Sequence, residues 1–310
     1  MSELARIGNK RERAHVIFRW IGIVAVLGLA GCATPEPVPE RRAEPVVAGQ
    51  PMGSPAVWPV GAPEIRARHA ILIDARTGRT LFQKFADSEV QVASTQKLVT
   101  ALLVTERGNL DQRFVIASAD CAVEPGKLGF RPGQSYSRRE LLTAMMVKSE
   151  NDAAAALARD HSGSVSAFAE EMNRKAWEVG ARNSHFLNPH GLPAAQHSTA
   201  RDMARIAYRV YREPELRQMM LRPSLTFVFS NGRTKHLEAT NKLLKRSPIY
   251  NGMKTGYTFA AGRCLISSAS TGGRDVILVQ LGSKTSSIFD DAERLMAWGL
   301  SQVGPSFGSL

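Results

Sequence analysis

Three short residue patterns occur in this chain in a fixed order: Ser94-Thr95-Gln96-Lys97, Ser149-Glu150-Asn151 and Lys254-Thr255-Gly256. Each is weak by itself, because Ser and Lys are common and a single Ser-x-x-Lys often arises by chance. Read singly, Ser94 is an N-cap, Ser149 a turn residue and Lys254 a solvated strand residue. Read together, they require a fold that carries segments from positions 94 to 254 into one crevice. Acyl transfer needs an activated nucleophile, a base and donors for a developing oxyanion. Ser94 and Lys97 are three apart at the start of a predicted helix, which puts both on one face. A Lys serves as base only if its pKa falls, and burial or a second positive charge lowers it. Lys254 is the candidate for that charge. Ser149 and Asn151 fall on a turn between two predicted helices, where a hydroxyl relays a proton and an amide orients a carbonyl or Lys97. Lys254-Thr255-Gly256 reads as an edge strand, where a cation and a hydroxyl suit a terminal carboxylate and Gly256 admits a close backbone.

Hydropathy patterning fills in the frame. His69 to Ala75 and Thr80 to Phe85 predict two strands around the turn Arg76-Thr77-Gly78-Arg79. Helical spacing of Leu98, Ala101 and Leu102 predicts a helix over Ser94 to Arg107, stopped by Gly108. Ser137-Arg138-Arg139-Glu140 is a capping box opening a helix to about Val147. Further helices are predicted from Asn151, up to Gly180, and after Ser198. Leu225–Phe229 and Thr234–Leu237 flank the hairpin turn Asn231-Gly232, and Cys264–Ala269 and Val276–Leu281 flank Thr271-Gly272-Gly273. A last amphipathic helix covers about Asp290 to Val303. Strands at both ends with helices between predict an α+β fold, one antiparallel sheet flanked by helices with an inserted helical region. Only a few residues follow the last helix, so no second folded domain is expected after it.

The first 31 residues read as an export signal. A basic stretch precedes the apolar run Trp20 to Ala30, which is short for a permanent span. Leu29-Ala30-Gly31-Cys32 resembles a bacterial lipoprotein processing site, so Cys32 is expected to carry lipid. Residues 32–63 then form a Pro-rich tether, and residues 64–310 the catalytic domain. The formal charge is +12, which in an exported protein points to anionic lipid or wall polymer rather than nucleic acid. Beyond Cys32 only Cys121 and Cys264 remain; export permits a disulfide between them without requiring one.

The trio in this order resembles class A β-lactamases and penicillin-binding proteins. Longer stretches resemble D-alanyl-D-alanine carboxypeptidases of the serine peptidase S11 group: Ala93–Ala101, Ser149–Ala154, Asn188-Pro189-His190-Gly191-Leu192, Ser198–Met203, Lys254-Thr255-Gly256-Tyr257-Thr258 and Ala261–Leu265. The resemblance implies a β-lactamase/DD-transpeptidase-like fold and an acyl-enzyme on Ser94 with Lys97 as base. It implies that Ser149 and Asn151 assist proton transfer and binding, and that Lys254 belongs to the catalytic set. Thr255 would hold the terminal carboxylate beside Gly256, and the N–H groups of Ser94 and Tyr257 would form the oxyanion hole. Substrates would be peptidoglycan stem peptides, β-lactams would be inhibitors, and no metal or other cofactor is expected.

Two further departures bear on activity. Many relatives carry an Arg shortly before the last helix; here Ser286-Ser287-Ile288-Phe289-Asp290 has no base, which raises the alternative of a DD-endopeptidase cutting cross-links. Glu150 stands where Gly or Ala is common, and its carboxylate would raise the pKa of Lys97. A class A β-lactamase needs Glu-x-x-Leu-Asn, and Glu213-Pro214-Glu215-Leu216-Arg217 fails at its last position. A non-catalytic wall-binding lipoprotein is opposed by the intact trio. A zinc site on His185, His190 and His197 fits no short ligand motif.

Overall fold

The structure is a computed structural model that describes residues 58–284 and 286–304. The export signal, Cys32 and all but the end of the Pro-rich tether lie outside the described residues. No helix among the described residues is long and apolar enough to cross a membrane.

Among the described residues nine strands occur: β1 His69–Asp74, β2 Thr80–Lys84, β3 Arg113–Val115, β4 Ser135–Ser137, β5 Ser224–Val228, β6 Thr234–Glu238, β7 Tyr250–Thr258, β8 Gly262–Thr271 and β9 Arg274–Ser283. Eight helices accompany them: α1 Lys97–Arg107, α2 Ser118–Cys121, α3 Arg138–Lys148, α4 Asn151–Ser162, α5 Val165–Glu178, α6 Ala200–Val210, α7 Pro214–Met220 and α8 Ile288–Gln302. The main sheet is antiparallel in the order β2-β1-β9-β8-β7, with β3–β4 and β5–β6 as separate ribbons. All of α1 to α7 is inserted between β2 and β7, so the predicted α+β layering with an inserted helical region is what forms.

Strand alternation divides two cores. Ile71, Ile73, Ile277 and Val279 enter the larger core with α1, α3, α4 and α6. Ala70, Leu72, Val276 and Leu278 face the smaller core with Leu295 and Met296 of α8. The sheet is thus covered on both faces, which is why its strands read as nearly continuous apolar runs. Gly299 permits close packing of α8: a Cβ there would stand 2.3 Å from Leu72 Cδ2.

Local signals set the boundaries. The Ser137–Glu140 capping box forms, with the Ser137 hydroxyl accepting from Glu140 N at 3.1 Å and Glu140 Oε2 accepting from Ser137 N at 2.6 Å. Gly108 caps α1 at φ 75°, as its position after the periodic stretch requires. Thr199, rather than Ser198, caps α6 by accepting from Asp202 N. Ser198 instead pairs with Val90 in an isolated bridge.

Two differences from the sequence reading matter for the site. The segment Ser94–Gln96 is a 3₁₀ turn, and regular helix begins at Lys97. The Glu213–Arg217 stretch opens α7, where Glu213 pairs with Arg209, and Glu215 with Arg139 at 2.6 Å.

Candidate active site

The three patterns converge. The Nζ of Lys97 lies 2.9 Å from Ser94 Oγ and 2.5 Å from Asn151 Oδ1. Lys254 Nζ donates to Ser149 Oγ at 2.8 Å and to the Thr255 carbonyl at 2.9 Å. A cleft of about 350 Å³ is lined by Ser94, Ser149, Thr255, Gly256 and Tyr257. Of the candidate site residues, Cys32 alone lies outside the described residues.

Backbone geometry places each group. Ala93 and Ser149 both adopt left-handed conformations, with φ 48° and 70°. A side chain pays for that conformation, and such strain gathers at sites where direction matters. The turn at Ser149 ends α3 and lets α4 start at Asn151, so both motif side chains point back into the cleft. The loop before α3 holds Asn151: its N donates to Gly126 O at 2.6 Å and its Nδ2 to Pro125 O at 2.5 Å. Asp152 fastens the same loop by accepting from Leu128 N and Gly129 N at 3.1 and 3.0 Å.

Strand β7 lies at the sheet edge, as read from Lys254-Thr255-Gly256. A Cβ on Gly256 would come within 2.8 Å of Ser94 N, so the strand and the nucleophile turn are in direct backbone apposition. Thr255 Oγ1 donates to Thr240 Oγ1 at 2.6 Å.

Sequence reasoning missed the floor of the site. The backbone carbonyl of His190 accepts from Lys97 Nζ at 2.7 Å and from Ser94 Oγ at 3.1 Å. Main-chain acceptors leave no side-chain signature, so only the resemblance of Asn188–Leu192 flagged this loop. Gly191 makes the approach possible: a Cβ there would stand 2.2 Å from Ala93 O. The His190 ring is pushed down to about 3 by burial and by Lys97, and is neutral at physiological pH. His185 and His197 face each other across an isolated bridge, away from His190's role. Thr240 and Lys242, also cleft-lining, carried no recognisable pattern, and Arg263 entered only as part of the resembling stretch Ala261–Leu265.

Electrostatics follow from burial. Lys97 and Lys254 are 0 % and 1 % exposed. Desolvation first, then the charge of Lys254, holds Lys97 well below the usual lysine range. Burial lowers Lys254 to about 7. Glu150, itself raised by burial, and Asp152 oppose the shift at Lys97. Glu150 is not free: Lys235 of β6 approaches its carboxylate at 3.9 Å. Cys121 and Cys264 are free thiols; burial pushes Cys264 up to about 12, so it is no nucleophile despite lining the cleft. A buried amine of lowered proton affinity, in its neutral form, is able to accept the proton of the half-buried hydroxyl beside it.

Comparison with known proteins agrees with this geometry. The profile of the peptidase S11 family, described as D-alanyl-D-alanine carboxypeptidase, matches residues 57–285. A D-alanyl-D-alanine endopeptidase of Pseudomonas aeruginosa is 34 % identical over 76 % of this chain and 77 % of its own length. A D-alanyl-D-alanine carboxypeptidase of Bacillus subtilis is 32 % identical over 71 % of this chain, which spans 58 % of that relative. The crystal structure of the D-alanyl-D-alanine carboxypeptidase of Mycobacterium tuberculosis superposes with a TM-score of 0.76 at 30 % identity, covering 83 % of this chain and all of that one. The order of the motifs, the sheet that carries the third of them and these likenesses agree: the chain belongs to the D-alanyl-D-alanine carboxypeptidase family, peptidase S11.

Proposed function

We propose that this protein is a serine D-alanyl-D-alanine carboxypeptidase that shortens peptidoglycan stem peptides through an acyl-enzyme on Ser94. The observation that carries the proposal is the 2.9 Å contact between Lys97 Nζ and Ser94 Oγ, made by an amine whose proton affinity burial and Lys254 hold well below the usual lysine range. A neutral amine has two N–H bonds and one lone pair. Asn151 Oδ1 and His190 O accept the two N–H bonds, and the Ser94 hydroxyl proton swings from His190 O to the remaining lone pair as the reaction begins.

In this reading Ser94 Oγ forms a bond to the penultimate D-Ala carbonyl carbon as its proton passes to Lys97. The N–H groups of Ser94 and Tyr257 hold the oxyanion. The C–N bond to the last residue then breaks as the Ser149 hydroxyl, hydrogen-bonded to Lys254, hands its proton to the leaving amine and is restored by the proton Lys97 took from Ser94, which leaves Lys97 neutral again. Thr255 holds the carboxylate of that residue. Water attacks the ester, with Lys97 again as base, and frees the shortened peptide. β-Lactams acylate Ser94 in the same way.

A second reading, a DD-endopeptidase cutting cross-links, is supported by the uncharged cleft residues Ser286, Ile288 and Phe289 and by the likeness to an endopeptidase. In either case the domain works outside the cytoplasm, tethered by residues 33–63 to a membrane through lipid on Cys32. Incubating the full-length protein with purified muropeptides tests both readings. Loss of one D-Ala from pentapeptides supports the carboxypeptidase, and cleaved dimers with intact pentapeptides support the endopeptidase. Failure of a fluorescent penicillin to label the protein, under conditions that label a known relative, sinks the enzymatic reading.

A further inference from the structure

The cleft contains more positive charge than its chemistry consumes. Lys97 Nζ is already in contact with Ser94 Oγ, Asn151 Oδ1 and His190 O. Lys254 donates to Ser149 Oγ and Thr255 O. Both amines are buried and both have lowered proton affinity, so neither is a good counter-ion for a carboxylate arriving from solvent.

Two other cations line the same cleft: Lys242, in the 3₁₀ turn Lys242–Lys245, and Arg263, near the start of β8. Both are exposed. Among the described residues neither makes an ion pair. Arg side chains elsewhere in the protein do: Arg139 pairs with Asp111 and Glu215, and Arg201 with Asp87.

The backbone beneath each cation is fixed, and for Arg263 the side chain is oriented as well. Arg263 lies directly across from Tyr257 in the β7–β8 register, and its guanidinium stands 5.4 Å from that ring's centroid. Such stacking keeps the planar donor fork oriented without neutralising it. The turn bearing Lys242 is fixed by Asn241, whose Oδ1 accepts from Leu243 N at 3.1 Å and whose Nδ2 donates to Gly252 O at 2.7 Å. Thr240 and Thr255, joined at 2.6 Å, line the cleft with them. Among the described residues, the stretch before and at the start of α8 contributes Ser286, Ile288 and Phe289 there, and the positive charge lining this cleft comes from Lys242 and Arg263.

We propose that Lys242 and Arg263 are specificity-determining residues of this cleft, which read the free carboxylate on the leaving side of the scissile peptide bond. The assignment rests on the peptidase reading above. Thr255 offers the hydroxyl donor, Arg263 a two-pronged charged donor and Lys242 a point charge.

The test is steady-state hydrolysis of an acyl-D-alanyl-D-alanine peptide and of its C-terminal amide. The full-length wild type is compared with Lys242→Ala, Arg263→Ala and the double variant. The double variant should raise KM for the acid by about tenfold or more and change kcat by less than about threefold, since charge-assisted contacts are lost without touching the reacting groups. KM for the amide should not move. Arg263→Lys should recover part of the loss. Added salt should raise KM for the acid in the wild type and have little effect in the double variant. An unchanged KM for the acid, or an equal rise for both peptides, overturns the assignment while the peptidase reading stands. If the wild type cleaves neither peptide, the peptidase reading fails and this assignment fails with it.

Discussion

The amine nitrogen of Lys97 lies 2.9 Å from the hydroxyl oxygen of Ser94, with Asn151 Oδ1 and His190 O on its other sides. That contact predicts the largest mutational effect. Lys97→Met should lower the second-order rate of acylation by a fluorescent penicillin by about 10³-fold or more, since removing a base that also orients the nucleophile removes a unit of catalysis. Ser94→Ala should abolish labelling. Thermal melts of both variants check that the fold is retained.

The pH profile of acylation should respond to charges around Lys97 with opposite signs. Lys254 lowers the proton affinity of Lys97, and Glu150 raises it. Glu150→Gln therefore lowers it further, so the acid limb, where the neutral base is lost, moves to lower pH. Lys254→Met moves the limb to higher pH and also lowers the maximum rate. Stopped-flow acylation across the pH range reads both shifts.

Lys254 also carries a stability prediction. Its folded pKa of about 7 lies below the ordinary value of 10.5. Between those values the unfolded chain holds a proton that the folded chain has shed, so this residue's contribution to stability rises with pH through that window. Below about pH 7 the folded protein bears a buried charge at full cost. Lys254→Met should melt about 3 °C or more above wild type at pH 6, with the gap narrowing as the pH nears 10. A gap that widens with pH would contradict the assignment.

Gly191 has a structural role that a single methyl group should expose. Its φ is +85°, and a Cβ would meet Ala93 O at 2.2 Å. Gly191→Ala should cost about 3 kcal/mol or more in chemical denaturation, through backbone strain and displacement of the nucleophile turn. Gly256→Ala, whose Cβ would stand 2.8 Å from Ser94 N, should still fold but acylate at least about tenfold more slowly, because it separates the two backbone segments around the nucleophile.

The chemistry of the site was legible because it rests on side chains at short, fixed spacings. Ser94 with Lys97, and Ser149 with Asn151, each fall within one turn of chain, and β7 reads as an edge because Lys254-Thr255-Gly256 mixes charge with Gly. The longer periodic elements also appeared near their observed bounds, as α5 and α8 illustrate. Strand order did not, since the pairing of β1 with β9 depends on contacts some 200 positions apart. The ribbon β3–β4 was invisible because three-residue strands show no alternation. Helix α7 was passed over although Pro214 sits at its first turn, where Pro is favoured. His190 was hidden for a different reason: it acts through a main-chain oxygen, which any residue would supply.

Helices α1 and α4 begin at Lys97 and Asn151, and those two first residues touch. Two aligned sets of peptide dipoles therefore direct their positive ends at one point inside the protein. The resulting field adds to that of the buried amines, disfavours a proton on Lys97 and favours any species that gains negative charge there. Because its sources lie in a poorly polarisable interior, mobile ions screen it weakly. Ionic strength should accordingly alter how substrate is captured at the rim far more than how fast the captured substrate reacts.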